Sequence, residues 1–497
     1  MKHKFLLLVI AGLSISVFCS CATAQERPTK ASLEIGFAKV KITPPMNMPL
    51  FGQLFAYFAK GIESDLYAKA MCISDGDTSV MLVSCDVCVI PTDMVKNACR
   101  RAEQVTGVPA SNIIICATHT HSGPVTELDN ALSKVPGNEL ISNYCETLES
   151  GIVRALEQAY DNATKGKLTL AYGELPGYGF NRRFVMSDGT IQTHPLTLDP
   201  HIVKPEGPDS KDIFAFCAYD EAGRPTGAAV NFTCHATVMK RNNEYVSADY
   251  PGKVSEFVAE KLDPEAISLF LQGTSGNICQ VNPLDGSRKE VGLEWSKRMG
   301  RAIGGKAIQL IEEKSIETAG PLRVVAQAVE LPRRKTPSSL AAWALNYEDV
   351  PAEKPGQTDY GTVLYNEIEF PLLSLEDIFD TPYWANTYAN TVRTQLKNTA
   401  SKSEFNIKVI AQDNWALVAL PGEFFIEFGN AIKAQSPFKN TIVVCYANGS
   451  NWYFPTKKAF SRPGGYETNI GTALFAPEAG DIVIQAVTRM LQQAHNL

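Results

Sequence analysis

The chain has 497 residues, 45% of them hydrophobic and 20% charged, the proportions of a folded globular protein rather than a disordered or membrane-embedded one. Forty-six basic residues stand against 53 acidic ones, for a formal charge of −7. That balance argues against nucleic acid as a partner, because phosphate binding needs a positive face to displace counterions.

The first segment reads as an address. Met1-Lys2-His3-Lys4 is a basic start, Phe5 to Phe18 is mostly apolar, and Ala22-Thr23-Ala24 supplies the small-x-small pattern of a cleavage site. A signal peptide over residues 1–24 is predicted, and with it export to the periplasm or the medium. Phe18-Cys19-Ser20-Cys21 also fits a degenerate lipobox, in which Cys21 would carry a lipid anchor and hold the protein at a membrane surface. No other apolar run approaches the ~20 residues of a spanning helix.

From about residue 34 strand-like and helix-like segments alternate without a long low-complexity linker. This predicts one large α/β domain over 31–497, a mixed β-sheet core flanked by helices. Strands are predicted at 79–85, 112–117, 167–172, 213–219, 227–234 and 267–271 from their apolar, β-branched character. Apolar residues at three-to-four spacing predict helices at 95–106, 141–160, 251–262, 292–316 and 477–494. Residues 407–410 and 416–420 flank Asp413-Asn414 and read as a hairpin. The Pro-, Lys- and Glu-rich stretch 332–359 reads as a surface excursion.

Of the 12 cysteines, Cys19 and Cys21 lie in the leader, and most others sit in apolar runs where a thiol packs like a small aliphatic group. One or two disulfides are compatible with export. Cys85 and Cys88 have redox or zinc spacing, but the run 81–90 around them reads as a core strand.

Histidine is scarce, seven in all, at 3, 119, 121, 194, 201, 235 and 495. Thr118-His119-Thr120-His121 directly follows the strand ending at Ala117. In extended backbone such a pair points both imidazoles to one side of a strand end, where a sheet faces a cleft. His235 repeats the arrangement at the end of another apolar strand, 227–234. Imidazole is the commonest zinc ligand, and a catalytic zinc takes about three protein ligands and keeps a position for water. Asp249 and Glu423 are comparable candidates for the carboxylate that completes the set; Glu423 also reads as a first-turn helix residue suited to the macrodipole.

Several motifs, in this order, carry a family resemblance: GFAKVKIT at 36–43, ATHTHSGP at 117–124, GFNRR at 179–183, NFTCH at 231–235, SADYPG at 247–252, QGTSGN at 272–277, PGE at 421–423 and GYE at 465–467. Together they resemble the catalytic domain of the neutral, non-lysosomal ceramidases, zinc-dependent amide hydrolases that split ceramide into sphingosine and a fatty acid. The resemblance implies Zn2+ held by His119, His235, Glu423 and Tyr453, with His121, Arg182 and Tyr466 catalytic. In those roles a zinc-activated water attacks the carbonyl, His121 passes a proton to the leaving nitrogen, and Arg182 and Tyr466 stabilise the oxyanion. Without the resemblance, Arg182 reads as a surface arginine beside Arg183. The implied substrate is a small-molecule or lipid N-acyl compound, and no protein partner is implied.

Two departures stand out. The family often carries Gly-Asp-Val-Ser-Pro-Asn where this chain reads Gly276-Asn277-Ile278-Cys279, so Cys279 replaces a serine sometimes proposed as nucleophile. A Cys279 nucleophile requires a lowered thiol pKa, whereas a cysteine in an apolar stretch is inert as a rule. The second departure is the β-sandwich domain that follows the tyrosine segment in the family, which this chain is expected to lack. Two other readings compete: an amidohydrolase-type barrel using His119, His121, His235 and Asp249, and a non-catalytic exported binding protein that keeps a relict metal pocket.

Overall fold

Alternation in Leu33–Lys41 sets the first strand, β1: Leu33, Ile35 and Phe37 face one core while Ala38 and Val40 face another. The computed structural model describes residues 1, 33–52, 57–127, 138–239, 243–348, 362–365, 368–371, 382–398 and 400–497. The predicted leader and Cys21 lie outside the described residues.

β1 belongs to a ten-stranded sheet whose main run also holds β2 (Tyr67–Ser74), β3 (Ser79–Cys85), β4 (Ile113–Ala117), β5 (Thr164–Asn181), β6 (Ser210–Asp220), β7 (Pro225–Phe232) and β8 (Ile267–Gln272), with Ile278–Cys279 and Ile316–Glu317 pairing on β5. Their spatial order is β8-β7-β6-β5-β1-β2-β3-β4. Neighbours are antiparallel except β3–β4 and β7–β8, which are parallel. A second sheet runs β9 (Arg323–Pro332), β10 (Lys402–Gln412), β11 (Trp415–Ala419), β12 (Asn440–Val444), with β11–β12 parallel.

Parallel neighbours need a crossover, and each of the three pairs has a helix in it: α1 (Thr92–Thr106) between β3 and β4, α3 (Asp249–Leu262) between β7 and β8, and α5 (Ile426–Gln435) between β11 and β12. The long helices α2 (Asn138–Asp161), α4 (Leu293–Lys314) and α6 (Ala479–Asn496) complete the outer layers. The two sheets pack face to face on Phe37, Met71, Leu82 and Phe216 from one side and Ile410, Trp415, Leu417 and Ile442 from the other. The opposite faces are covered by helices, with Val254, Val258, Met299 and Ile303 of α3 and α4 against Ala215, Val230 and Phe232. The layers are therefore helix, sheet, sheet, helix, a mixed α/β architecture. Burial of such side chains contributes about 1.5–3 kcal/mol each.

The hairpin turns at Asp413-Asn414 between β10 and β11. The excursion at 332–359 contains a helix, Ser338–Asn346, and its residues 349–359 lie outside the described ones. One expectation is corrected: the run 81–90 is not strand throughout, because β3 stops at Cys85 and the chain bends, burying Asp86 on the Lys69 ammonium at 2.8 Å. The cysteines 72, 85, 88, 99, 116, 145, 217, 234, 279 and 445 are all free thiols. Among the described residues no helix is long and apolar enough to cross a membrane.

Candidate metal centre and its surroundings

Parallel strand pairs present their carboxyl ends to one crevice, and the three crossovers deliver the site there. His119 lies two residues beyond β4, His235 three beyond β7, and Glu423 four beyond β11. The first two are not carried by extended strand. His119 sits in the left-handed region at φ 65°, so the expected alternation is not what brings the pair together. Instead its N–H donates to Val87 O at 3.0 Å, and the His121 N–H donates to Ala236 O at 3.0 Å, which stitches the two histidine loops to each other. Glu423 is also not in a helix: Glu423–Phe424 pairs in parallel with Tyr453–Phe454, and α5 starts only at Ile426.

Each imidazole spends one nitrogen on a backbone carbonyl. His119 Nδ1 donates to Cys88 O at 2.8 Å, His235 Nδ1 to Ser275 O at 2.8 Å, and His121 Nδ1 to Gly52 O at 2.6 Å. Gly52, at φ 80°, is forced by this approach, since a Cβ there would stand 2.5 Å from the His121 ring. With Nδ1 donating to a carbonyl, Nε2 is the ring atom left to offer a lone pair. Burial pushes the His235 imidazole well below its ordinary pKa, helped by Arg182, and burial with His119 does the same to His121.

Those lone pairs converge. His119 Nε2 is 3.0 Å from His235 Nε2 and 3.2 Å from His121 Nε2, and Glu423 Oε2 lies 3.4 Å from His119 Nε2 and 3.5 Å from His235 Nε2. Glu423 Oε2 is buried with no hydrogen-bond partner. Three electron-rich atoms facing one another in a dry pocket repel unless a cation sits among them. Metal bonds of ~2.0–2.2 Å in a tetrahedron would set ligand atoms roughly 3.3–3.6 Å apart, close to the spacings here. His119, His235 and Glu423 thus form a group able to hold a metal ion. A carbonyl-bound second nitrogen on each histidine is the usual outer partner of such ligands.

The alternative carboxylate is excluded from this group. Asp249 Oδ2 accepts the N–H of Val238 and of Met239, and Oδ1 that of Tyr250, so its oxygens brace the loop after His235 instead of joining the histidines. Burial pushes its carboxyl up to about 6 against those bonds. The amidohydrolase-type ligand set is corrected accordingly. His194 donates its N–H to Arg182 O, and His201 lies on an exposed turn bonded to Ser187.

Arg182 and Arg183 are both buried, which corrects the surface reading of Arg182. Arg182 Nε donates to Glu467 Oε1 at 3.0 Å, and its Nη2 to Gly276 O at 2.8 Å and to the Tyr453 hydroxyl at 3.1 Å. Arg183 Nη1 donates to Glu467 Oε2 at 2.6 Å, and Arg183 Nε to Glu206 Oε2 at 2.6 Å. Gly276 also lets the Glu423–Phe424 backbone pack against it, its N–H donating to Phe424 O at 2.8 Å, because a Cβ there would meet Glu423 O at 2.4 Å. The Arg182 guanidinium lies 5.6 Å from the Tyr453 ring and 5.4 Å from the Tyr466 ring, and the two rings are 5.8 Å apart. Burial pushes the Tyr466 phenol up to about 12, and burial with Glu423 raises that of Tyr453 well above its ordinary value. Both hydroxyls keep their protons at neutral pH in the absence of a cation.

Cys279 is buried, with its Sγ 3.6 Å from Val281 O and 3.9 Å from His194 Nδ1, and burial pushes its thiol up to about 12, away from the thiolate a nucleophile needs. Sequence reasoning missed the carbonyls of Cys88, Gly52 and Ser275, which no residue type announces. It also missed Glu467, although the GYE motif contains it, and Tyr446.

A mixed α/β protein with a buried histidine–carboxylate group at the carboxyl ends of its parallel strand pairs is the class these features define. Residues 33–287 match the family model described as neutral/alkaline non-lysosomal ceramidase, N-terminal, and the chain belongs to that family. It is 24% identical to Neutral ceramidase A of Dictyostelium discoideum over 262 residues, 50% of this chain and 35% of that protein. Neutral ceramidase 1 of Arabidopsis thaliana is 26% identical over 232 residues, 46% of this chain and 29% of the relative. The alignments therefore span about a third of the length of these relatives. The crystal structure of neutral ceramidase from Pseudomonas aeruginosa shares the fold with a TM-score of 0.67 at 19% identity, covering 94% of this chain and 75% of that one.

Proposed function

We propose that this chain is an exported, zinc-dependent amide hydrolase that cleaves the N-acyl bond of ceramide or a related N-acyl compound. The observation that carries the reading is the convergence of two imidazole Nε2 atoms and the unpartnered Glu423 oxygen, each histidine fixed by a carbonyl on its other nitrogen. Family membership and the relatives' names support the substrate class. His119, His235 and Glu423 would hold the ion, with the Tyr453 hydroxyl as fourth ligand. Zinc in such a site is a Lewis acid that lowers the pKa of a coordinated water to about 7.

The remaining residues divide the work on the amide. His121, part-exposed at the edge of the group, has its Nδ1 proton committed to Gly52 O, which leaves Nε2 to take a proton from water and return it to the leaving nitrogen. Water oxygen adds to the carbonyl carbon, the C–N bond breaks, and amine and carboxylate leave. Tyr466, protonated, donates to the oxygen that gains charge at the carbonyl. Arg182, held by Glu467 and Gly276, adds a fixed positive charge beside it. The acidic Glu467 keeps that guanidinium in place without touching substrate.

Export by the predicted leader, or tethering through Cys21, puts the enzyme where exogenous lipids are found. Turnover of a fluorescent short-chain ceramide by the zinc-loaded protein, beside a His119→Ala variant, tests the reading. Bound zinc without turnover of any amide or ester would favour the binding-protein alternative instead.

A further inference from the structure

One residue touches all three ligand-bearing segments. Tyr446 follows β12, and its ring stacks on His119 with centroids 3.9 Å apart at 21°. Its hydroxyl is 2.8 Å from Ser275 Oγ, and Ser275 supplies the carbonyl that holds His235 Nδ1. Its N–H donates to Gly422 O at 3.3 Å, one residue before Glu423. Its carbonyl accepts the Ala117 N–H at 3.0 Å, two residues before His119. All this is achieved from the left-handed region, at φ 54°, a conformation unfavourable for an aromatic residue that persists where its surroundings over-determine it.

We infer that Tyr446 is a positioning residue that, with Ser275, braces His119, His235 and Glu423 toward a common ion. The inference rests on the metal reading above and deepens it. A stacked face stops the His119 ring from turning about its Cβ–Cγ bond, and the hydroxyl pair fixes the segment whose carbonyl orients His235. Loss of such an outer partner typically lowers metal affinity 10–100-fold.

The test is zinc affinity, by competition with a chromophoric chelator, and the visible spectrum of the cobalt-substituted protein, for the full chain and for Tyr446→Phe, Tyr446→Leu, Ser275→Ala and the Tyr446→Phe/Ser275→Ala double variant. The expected result is one zinc in the wild type, about tenfold weaker binding in Tyr446→Phe and Ser275→Ala, and no further loss in the double variant because both remove one hydrogen bond. Tyr446→Leu, which also loses the stack, should bind more weakly still and shift the cobalt spectrum. Tyr446→Phe keeps the ring and carries the test if the leucine variant does not fold. Wild-type protein with one zinc, and Tyr446→Phe indistinguishable from it in affinity and cobalt spectrum, would overturn this inference alone. Wild-type protein that binds no zinc would overturn the metal reading and the inference with it.

Discussion

Arg182 and Glu467 form a buried pair, Nε to Oε1 at 3.0 Å, in which the same carboxylate takes Arg183 on its other oxygen at 2.6 Å. Thr193 Oγ1 donates to that second oxygen at 2.8 Å, so both oxygens of Glu467 are satisfied. Two like charges from consecutive residues are thereby held on one carboxylate, and Arg182 also reaches the Tyr453 hydroxyl at 3.1 Å.

Removing one member of such a cluster leaves uncompensated charge out of water. Glu467→Gln is expected to lower stability by about 3–5 kcal/mol, measured by denaturant unfolding. Burial would raise the Glu467 pKa, but Arg183 and Arg182 hold it below the ordinary 4.5. A lowered folded pKa gives stability that is present above about pH 4.5 and lost as pH falls through the folded value. The acid limb of the stability profile should therefore be shallower in Glu467→Gln than in the wild type.

On the proposed reading His121 moves a proton and is not a ligand of the ion. His121→Ala should keep bound zinc near one equivalent while kcat falls by roughly 10²–10⁴. Metal analysis beside single-turnover kinetics checks this, and loss of zinc in that variant would instead make His121 a ligand.

On the same reading, Tyr466→Phe removes one hydroxyl that donates to the reacting carbonyl, and little packing. Its kcat should fall by about 10²–10³ with zinc content unchanged, read from steady-state kinetics and metal analysis on the same preparation.

Cys279 carries the opposite expectation. With its thiol pushed up to about 12 and its sulfur enclosed, Cys279→Ala should leave turnover within about threefold of wild type. Progress curves of the variant check it, and a loss of a hundredfold or more would restore the cysteine as a nucleophile.

Strand and helix positions were legible because hydrophobic periodicity is local. Ser79–Cys85 and the hairpin at Asp413-Asn414 stand where the pattern placed them. The histidines were legible by scarcity and by position after apolar strands. What the pattern could not show was backbone geometry. The left-handed His119, the bend that ends β3 at Cys85, and the parallel pairing that draws Glu423 beside Tyr453 depend on contacts distant in sequence. The outer partners were hidden for the same reason. Cys88, Gly52 and Ser275 act through carbonyls that every residue possesses, and Tyr446 acts through a ring stacked on a residue 327 positions earlier in the chain.

On the proposed reading, amide hydrolysis depends on the His119–His235–Glu423 group. Turnover of a fluorescent short-chain ceramide by the zinc-loaded full chain, with His119→Ala alongside, tests it most directly. Release of the labelled fatty acid is expected from the wild type, and its loss, together with the zinc, in the variant. Release at the wild-type rate by a His119→Ala protein that holds no zinc would contradict it.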